Sequence, residues 1–176
     1  MKNRILLSLI FLLTLICSCS SRNTLDAKTV EELISGNQFT FMATRAIPTN
    51  YDVINIMNSM PNAASSRLLN LEYGYTIVLK EKEIEVTLPY FGRLYNPSYD
   101  NAKNSFRFTS KNFNLTKNQS KKGNWVCIIT PKDADNVKSI YLEVYKNGNA
   151  YVSIDANDRQ PISYDGYIMK NEIKKD

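Results

Sequence analysis

The chain has 176 residues, of which 43% are hydrophobic and 22% are charged, and its formal net charge is +5. It contains no histidine and three cysteines. These counts exclude imidazole general bases, nucleophiles activated by histidine, histidine metal ligands and four-cysteine zinc sites, while the length fits one compact domain.

The first 18 residues have the features of a bacterial lipoprotein signal peptide. A short basic region precedes an apolar run over residues 5–16, which is too short to span a membrane as a helix. The run ends in Ile-Cys-Ser-Cys-Ser and resembles a lipobox, in which a small residue precedes the cysteine that is lipidated. Because Ser18 is small and Ile16 is β-branched, we expect Cys19 to carry the lipid. Lipidation at Cys17 and cleavage without lipidation are the alternatives.

This segment predicts an envelope protein that is held on a membrane. A bacterial lipoprotein cysteine carries three acyl chains, whereas stable anchoring takes about two. The predicted organisation is a signal peptide over 1–18, a lipid-anchored tether over 19–28 and a single β-domain over 29–176. Loss of Lys2 and Arg4 with the signal lowers the formal charge from +5 to +3, which argues against a nucleic-acid partner. No acidic run follows Cys19, which favours the periplasmic face of the outer membrane.

A short helix is predicted at the start of the domain, over about Thr29–Ser35. Thr29 and Glu32 have the spacing of a capping box, and Gly36 stands where a helix ends. The apolar stripe at helical spacing consists of Val30, Leu33 and Ile34. We expect this stripe to pack on the domain, because two turns of helix are marginal alone.

From Phe39 onward the period of the apolar residues changes from 3.6 to 2. The alternation recurs near residues 39–43, 84–88, 105–109, 113–115, 140–144 and 150–154, which is typical of half-buried antiparallel strands. Residues 125–129 are apolar on both faces and predict a more central strand. The expected fold is all-β: an antiparallel sandwich or partly open barrel of about nine or ten strands, with one short N-terminal helix.

The parity of paired residue numbers predicts the lengths of three loops. Pairing Val144 with Ala150 on one face requires a three-residue Lys146–Gly148 turn with Gly148 left-handed, in place of a two-residue Asn-Gly turn. Loops with an even number of residues are required between residues 79 and 84 and between residues 108 and 113. For the first of these we expect four residues, because Glu81 and Lys82 suit a primed two-residue turn poorly.

Two loop stretches are candidates for a binding surface. The first consists of Leu-Pro-Tyr-Phe-Gly-Arg-Leu-Tyr over 88–95 and Asn-Pro-Ser-Tyr over 96–99. This stretch either plugs the end of the domain or lines a pocket with Arg93 as its fixed charge. In the second, over 157–166, Arg159 either binds a ligand carboxylate or phosphate or ties a loop to an aspartate or to carbonyl groups. The candidate binding residues are Tyr90, Phe91, Arg93, Tyr95, Tyr99 and Arg159.

The combination of these motifs resembles a known family. In six features the chain resembles the domain-of-unknown-function family numbered 4251. These are the lipobox, Phe-Thr-Phe at 39–41, Leu-Pro-Tyr-Phe-Gly-Arg at 88–93, Trp125, Asn-Asp-Arg at 157–159 and Ser-Tyr-Asp-Gly at 163–166. The resemblance covers about residues 39–168 and implies small lipoproteins of Gram-negative gut anaerobes. Leu94 stands where the family has a small residue, which concerns local packing. The resemblance supplies no activity, cofactor or catalytic residue.

The remaining candidates have simpler explanations. Asp133 and Asp135 alternate like calcium ligands, but the glycine and closing glutamate of such a loop are absent, and turn chemistry explains both residues. Cys127 is the one cysteine beyond the lipobox, and we expect a buried, inert thiol without a disulfide partner.

The sequence therefore predicts a non-catalytic, lipid-anchored domain that binds a protein or an envelope polymer and needs no cofactor or metal. Two alternatives stay open. One is a carrier for a small molecule or lipid with an aromatic interior. The other is a carboxylate-dependent glycan hydrolase, although no pair of carboxylates is singled out.

Overall fold

The computed structural model describes residues 25–60, 67, 69–95 and 104–172. Their core is one nine-stranded sheet in the order β4-β3-β2-β1-β9-β8-β7-β6-β5, with every neighbouring pair antiparallel. The strands are β1 (Phe39–Pro48), β2 (Thr76–Lys80), β3 (Glu83–Leu88), β4 (Phe106–Ser110), β5 (Phe113–Gln119), β6 (Trp125–Pro131), β7 (Val137–Val144), β8 (Asn149–Ala156) and β9 (Ile162–Met169). The all-β prediction and the predicted number of strands are confirmed.

The connection from β4 to β5 curls this sheet into a nearly closed barrel. In a flat sheet of nine strands the two edges would lie about 38 Å apart, whereas the chain from Ser110 to Phe113 reaches at most about 11 Å. The two edge strands must therefore meet. Of the two predicted architectures, the sandwich is wrong and the barrel is correct.

β4 and β5 also run in the same direction, because eight antiparallel pairings separate them in the sheet. They form one long strand that bends at Lys111 and Asn112, with its first part paired to β3 and its second part to β6. The predicted hairpin between residues 108 and 113 is wrong. The alternation of apolar residues continues through a bend as it would through a turn, so it does not distinguish the two.

The interior of the barrel is filled by the apolar positions of the strands. Interior side chains with at most 1% of their surface exposed include Phe41, Ile77, Val86, Ile140, Leu142 and Val152. Gly166 lies on the inward side of β9, where an added Cβ would come within 2.0 Å of the Met42 carbonyl oxygen. A side chain at this position would therefore force β1 and β9 apart.

Helix α1 (Ala27–Ser35) covers the end of the barrel at which β1 begins, here called the helix end. Val30, Leu33 and Ile34 are buried against the core, as predicted. The helix begins two residues before the predicted start, because the Asp26 carboxylate accepts hydrogen bonds from both the backbone and the hydroxyl of Thr29. At the other terminus, the Lys117 ammonium donates to the Ile34 carbonyl at 3.0 Å.

A second helix, α2 (Tyr51–Ser59), lies at the opposite end of the barrel, here called the loop end. The prediction of a single helix is therefore wrong. The side chain of Asn50 caps α2 by accepting from the backbone of Asp52 and Val53 at 2.8 and 3.1 Å. Asn50 together with the helical spacing of Val53, Ile54 and Met57 was the signal that could have revealed it.

Two hairpins test the parity predictions. Val144 pairs with Ala150 around a three-residue turn, and Gly148 has φ of 81°, both as predicted. Between β2 and β3 the loop is even, as predicted, but has two residues rather than four. Neither Glu81 nor Lys82 has a positive φ, so this is not a primed turn. The Lys80 ammonium, which is 3.0 Å from the Glu83 carboxylate and also contacts Glu85, stabilises the strand pair beside it.

Candidate functional site

The two predicted loop stretches meet at the loop end of the barrel. Leu94 and Arg159 form an isolated antiparallel bridge. On one side of it the Tyr95 amide donates to the Asp158 carbonyl at 2.8 Å, and on the other the Gln160 amide donates to the Arg93 carbonyl at 3.2 Å. This pairing brings together residues that are more than 60 positions apart in the sequence.

Arg159 is the centre of this assembly and has 2% of its surface exposed. Its guanidinium lies 5.1 Å from the ring centre of Tyr90 and 4.8 Å from that of Phe106. It also donates two hydrogen bonds to the Asp158 carboxylate, at 2.9 and 2.8 Å. These bonds hold the pKa of Asp158 below its ordinary value. Arg159 therefore joins its loop to the rings of Tyr90 and Phe106, while its hydrogen bonds to the neighbouring Asp158 lie within the loop.

The Tyr-Phe-Gly-Arg run gets its shape from the way Tyr90 folds back. The Tyr90 hydroxyl is 2.9 Å from the Arg93 carbonyl oxygen and 3.1 Å from that of Gln160. A Cβ at Gly92 would lie 2.5 Å from this hydroxyl, so glycine leaves the space that the tyrosine occupies. Burial raises the pKa of Tyr90, which keeps the phenol neutral.

The predicted site residues differ in accessibility. Phe91 packs against the core and Tyr90 is half-buried, so these aromatic rings plug the end of the barrel. Arg93 is exposed, and Tyr95 has 55% of its surface exposed. Tyr99 and Cys19 lie outside the described residues.

Helix α2 adds two exposed apolar side chains to the same end. Tyr51 is 81% exposed and Ile56 is 56% exposed. The helix is positioned on the Arg159 assembly by Asn50, whose side-chain amide donates to Gln160. We call Tyr51, Ile56, Arg93 and Tyr95 the loop-end face. The two residues from α2 were absent from the predicted surface because the helix itself was not predicted.

A groove on the outer wall was also missed by the sequence analysis. It has a volume of about 640 Å³ and lies between the β7–β8 turn, the β5–β6 loop, β1 and β9. We call it the outer groove; its lining includes Thr44, Asn124, Tyr145, Lys146, Asn149 and Asp165. The sequence carries no motif for it, because these residues come from four separate segments and each looks like ordinary strand or turn surface.

The other sequence candidates have structural roles. Cys127 is fully buried, and burial raises the pKa of its thiol to about 11, so an inert thiol is the form present at neutral pH. The Asp133 carboxylate accepts from the Ser110 hydroxyl and from the backbone amides of Lys111 and Asn112, at the bend between β4 and β5.

In the described residues, no three acidic or cysteine side chains come together as metal ligands would. None of the helices in this part of the chain has the length and apolar character needed to cross a membrane.

Comparison with known proteins gives a family and a structural relative. Residues 21–168 match the family described as "Domain of unknown function (DUF4251)". No curated protein matches the chain. The fold is similar to the crystal structure of a DUF4251 family protein from Bacteroides eggerthii DSM 20697, with a TM-score of 0.50 and 13% sequence identity over 82% of this chain and 87% of that one. At this identity the similarity concerns the fold.

Proposed function

This chain belongs to the DUF4251 family, a domain of unknown function, and we propose that it is a lipid-anchored, non-catalytic binding domain of the cell envelope. The ligand class in this proposal is a protein or an envelope polymer, and the loop-end face fits a protein. The anchor is Cys19, and the proposed location is the periplasmic face of the outer membrane.

The observation that carries the proposal is the rigid presentation of Arg93 and Tyr95. Leu94 between them is bridged to Arg159 and is half-buried. Successive side chains of an extended segment point to opposite sides. Because Leu94 is half-buried, the side chains of Arg93 and Tyr95 on either side of it project outward. Tyrosine and arginine are enriched among the residues that dominate the binding energy of protein interfaces.

The fixed frame beneath this face lowers the entropic cost of binding. The backbone on either side of Leu94 is hydrogen-bonded to residues 158 and 160, so little chain has to be ordered when a partner arrives. Tyr51 and Ile56 on α2 are further exposed apolar side chains at the same end of the barrel. Exposed tyrosine, arginine and apolar side chains are typical of protein-binding surfaces.

The two alternative functions receive less support. A lipid or small-molecule carrier needs a cavity among the interior aromatic residues, but Phe39, Phe41 and Tyr164 each have at most 1% of their surface exposed. A glycan hydrolase needs two carboxylates facing one another across a cleft. No observation in the described residues favours such a pair.

The anchor and the partner can be tested separately in intact cells. We expect radioactive palmitate to label the wild-type protein and not Cys19→Ala, and label that persists in the variant would contradict the assignment to Cys19. For the partner, a photo-crosslinking amino acid replaces Tyr95, with Ile128 on the outer wall, 39% exposed, as the control position.

We expect a discrete protein adduct from position 95 and none from position 128. Arg93→Glu should weaken that adduct at least about tenfold, as removal of a central interface residue does. The same mixture of nonspecific adducts from both positions would contradict the proposal.

A further inference from the structure

We propose that the outer groove is a binding site for a neutral glycan chain. The groove lies on the wall of the barrel beside the β7–β8 turn and contains none of the loop-end face residues, so this site is distinct from the proposed protein-binding surface. Its volume of about 640 Å³ is in the range of about 300–1,000 Å³ found for small-molecule sites.

The turn that forms one wall of the groove is held rigidly. Within it the Tyr145 amide donates to the Asn149 carbonyl at 2.8 Å, and the Gly148 amide returns to the Tyr145 carbonyl at 3.0 Å. The Asn147 side chain accepts from the Asn149 amide at 3.1 Å. The Ile168 amide, from β9, donates to the Gly148 carbonyl at 2.8 Å and joins the turn to the neighbouring wall. A ligand therefore meets a preformed surface.

Tyr145 provides the apolar platform of the groove. It is 39% exposed, so part of its ring is accessible to a ligand. Burial of the rest, together with the negative charge of Glu143 and Asp165, raises the pKa of its hydroxyl, which stays protonated and able to donate. A ring with one apolar surface and a polar tip suits a sugar, which has an apolar C–H face and hydroxyl groups at its rim.

The polar groups around Tyr145 can both donate and accept. Asn149 and Asn124 carry amides, Thr44 a hydroxyl and Asp165 a carboxylate. Asn124 uses its NH₂ group to donate to Glu143 at 2.8 Å, which leaves its side-chain carbonyl to accept from a ligand. Alternating donors and acceptors match the hydroxyl groups of a sugar.

The charge of the groove selects a neutral ligand. Lys146 and Asp165 are its two charged lining residues, and their formal charges cancel. Both are exposed, and neither takes part in an ion pair of the described residues. A phosphorylated or uronic polymer would have to bring its anions next to Asp165. The groove is also open to solvent, so a ligand longer than one sugar can extend beyond it.

The test uses the lipidated protein in a detergent without a sugar headgroup, titrated with neutral oligosaccharides of glucose, mannose, galactose and N-acetylglucosamine. We expect saturable binding to at least one of them. Tyr145→Ala and Asp165→Asn should each weaken it about tenfold, and Tyr145→Phe should keep most of it because the ring remains. The matched control is Tyr73→Ala, a more exposed tyrosine that lies outside the groove and outside the loop-end face, which should bind as the wild type does.

Three outcomes would overturn the proposal: no binding to any of the oligosaccharides, equal affinity in the wild type and the Tyr145→Ala protein, or saturable binding of neutral peptides alone. All three substitution sites are exposed or half-exposed, so the variants should keep the circular dichroism spectrum and melting temperature of the wild type. Loss of the protein adduct at position 95 would contradict the proposed function and leave this result unchanged.

Discussion

Arg159 is a charged side chain that the fold uses as a structural element. Its guanidinium is enclosed by two aromatic rings and paired with Asp158, whereas the side chain of Arg93, in the adjoining loop, is exposed. The two arginines therefore offer a matched comparison. A buried charge that loses its partner is costly, whereas an exposed one contributes little.

We expect Arg159→Met to lower the free energy of unfolding by about 2–3 kcal/mol, because it leaves the partly buried Asp158 carboxylate without its cation and removes the guanidinium from the rings of Tyr90 and Phe106. Arg93→Met should change it by less than about 0.5 kcal/mol. Urea unfolding of the two variants measures both values. Equal effects would contradict the structural role of Arg159.

The bent strand formed by β4 and β5 closes the barrel, and its bend depends on one carboxylate. Asp133 accepts from the Lys111 amide at 2.9 Å and from the Asn112 amide at 3.1 Å, and it also accepts from the Ser110 hydroxyl. These hydrogen bonds lower the pKa of Asp133 below its ordinary value of 3.8, and the bond from Ser110 has the largest effect.

This shift predicts how stability depends on pH. A carboxyl whose pKa is lowered by folding stabilises the native state fully above its unfolded pKa, and the stabilisation is lost as the pH falls through the folded pKa. We therefore expect the wild type to be more stable than Asp133→Asn near neutral pH, with a difference that shrinks below about pH 4. Urea unfolding between about pH 2 and pH 7 measures it.

The control for this prediction is Asp135→Asn, two residues away in the same loop and also exposed. Its side chain makes none of the hydrogen bonds that hold the bend, so its effect on stability should not follow the same pH dependence. A constant difference between the wild type and Asp133→Asn across the pH range would contradict the assigned role of Asp133.

For the whole molecule, the barrel has two ends that differ in their distance from the proposed anchor. The Leu25 amide donates to the Asn147 carbonyl at 3.1 Å, so the chain enters the barrel at the helix end. Leu25 is six positions after Cys19, which limits the distance between these two residues to about 20 Å. Strands of eight residues, such as β7, span about 25 Å, so with Cys19 as the anchor we expect the loop end to lie farther from the membrane.

We expect a fluorophore at Lys146→Cys, near the tether, to be quenched more strongly by lipids with a quencher in the headgroup than one at Tyr95→Cys. The comparison uses the lipidated protein in vesicles. Cys127 is fully buried and should stay unlabelled. Equal quenching at the two positions, or stronger quenching at position 95, would contradict this orientation.

Some features of this protein follow from local sequence alone. The alternation of apolar residues predicts the strands, because burial on one face of a sheet selects side chains with a period of two. Parity predicts the three-residue turn before Asn149, because a shift of one residue would expose the apolar face of β8. The stripe on α1 likewise identifies the face that packs on the core.

Tertiary structure alone decided the rest. Whether residues 110–113 turn back or bend onward depends on which strands pair with β4 and β5, and those partners lie elsewhere in the chain. The same holds for Arg159, since its enclosure needs Tyr90 and Phe106 from a distant segment, and for the outer groove, which four segments build together. Local patterns report which face of an element is buried, whereas closure of the barrel, burial of a charge and the shape of a site depend on long-range contacts.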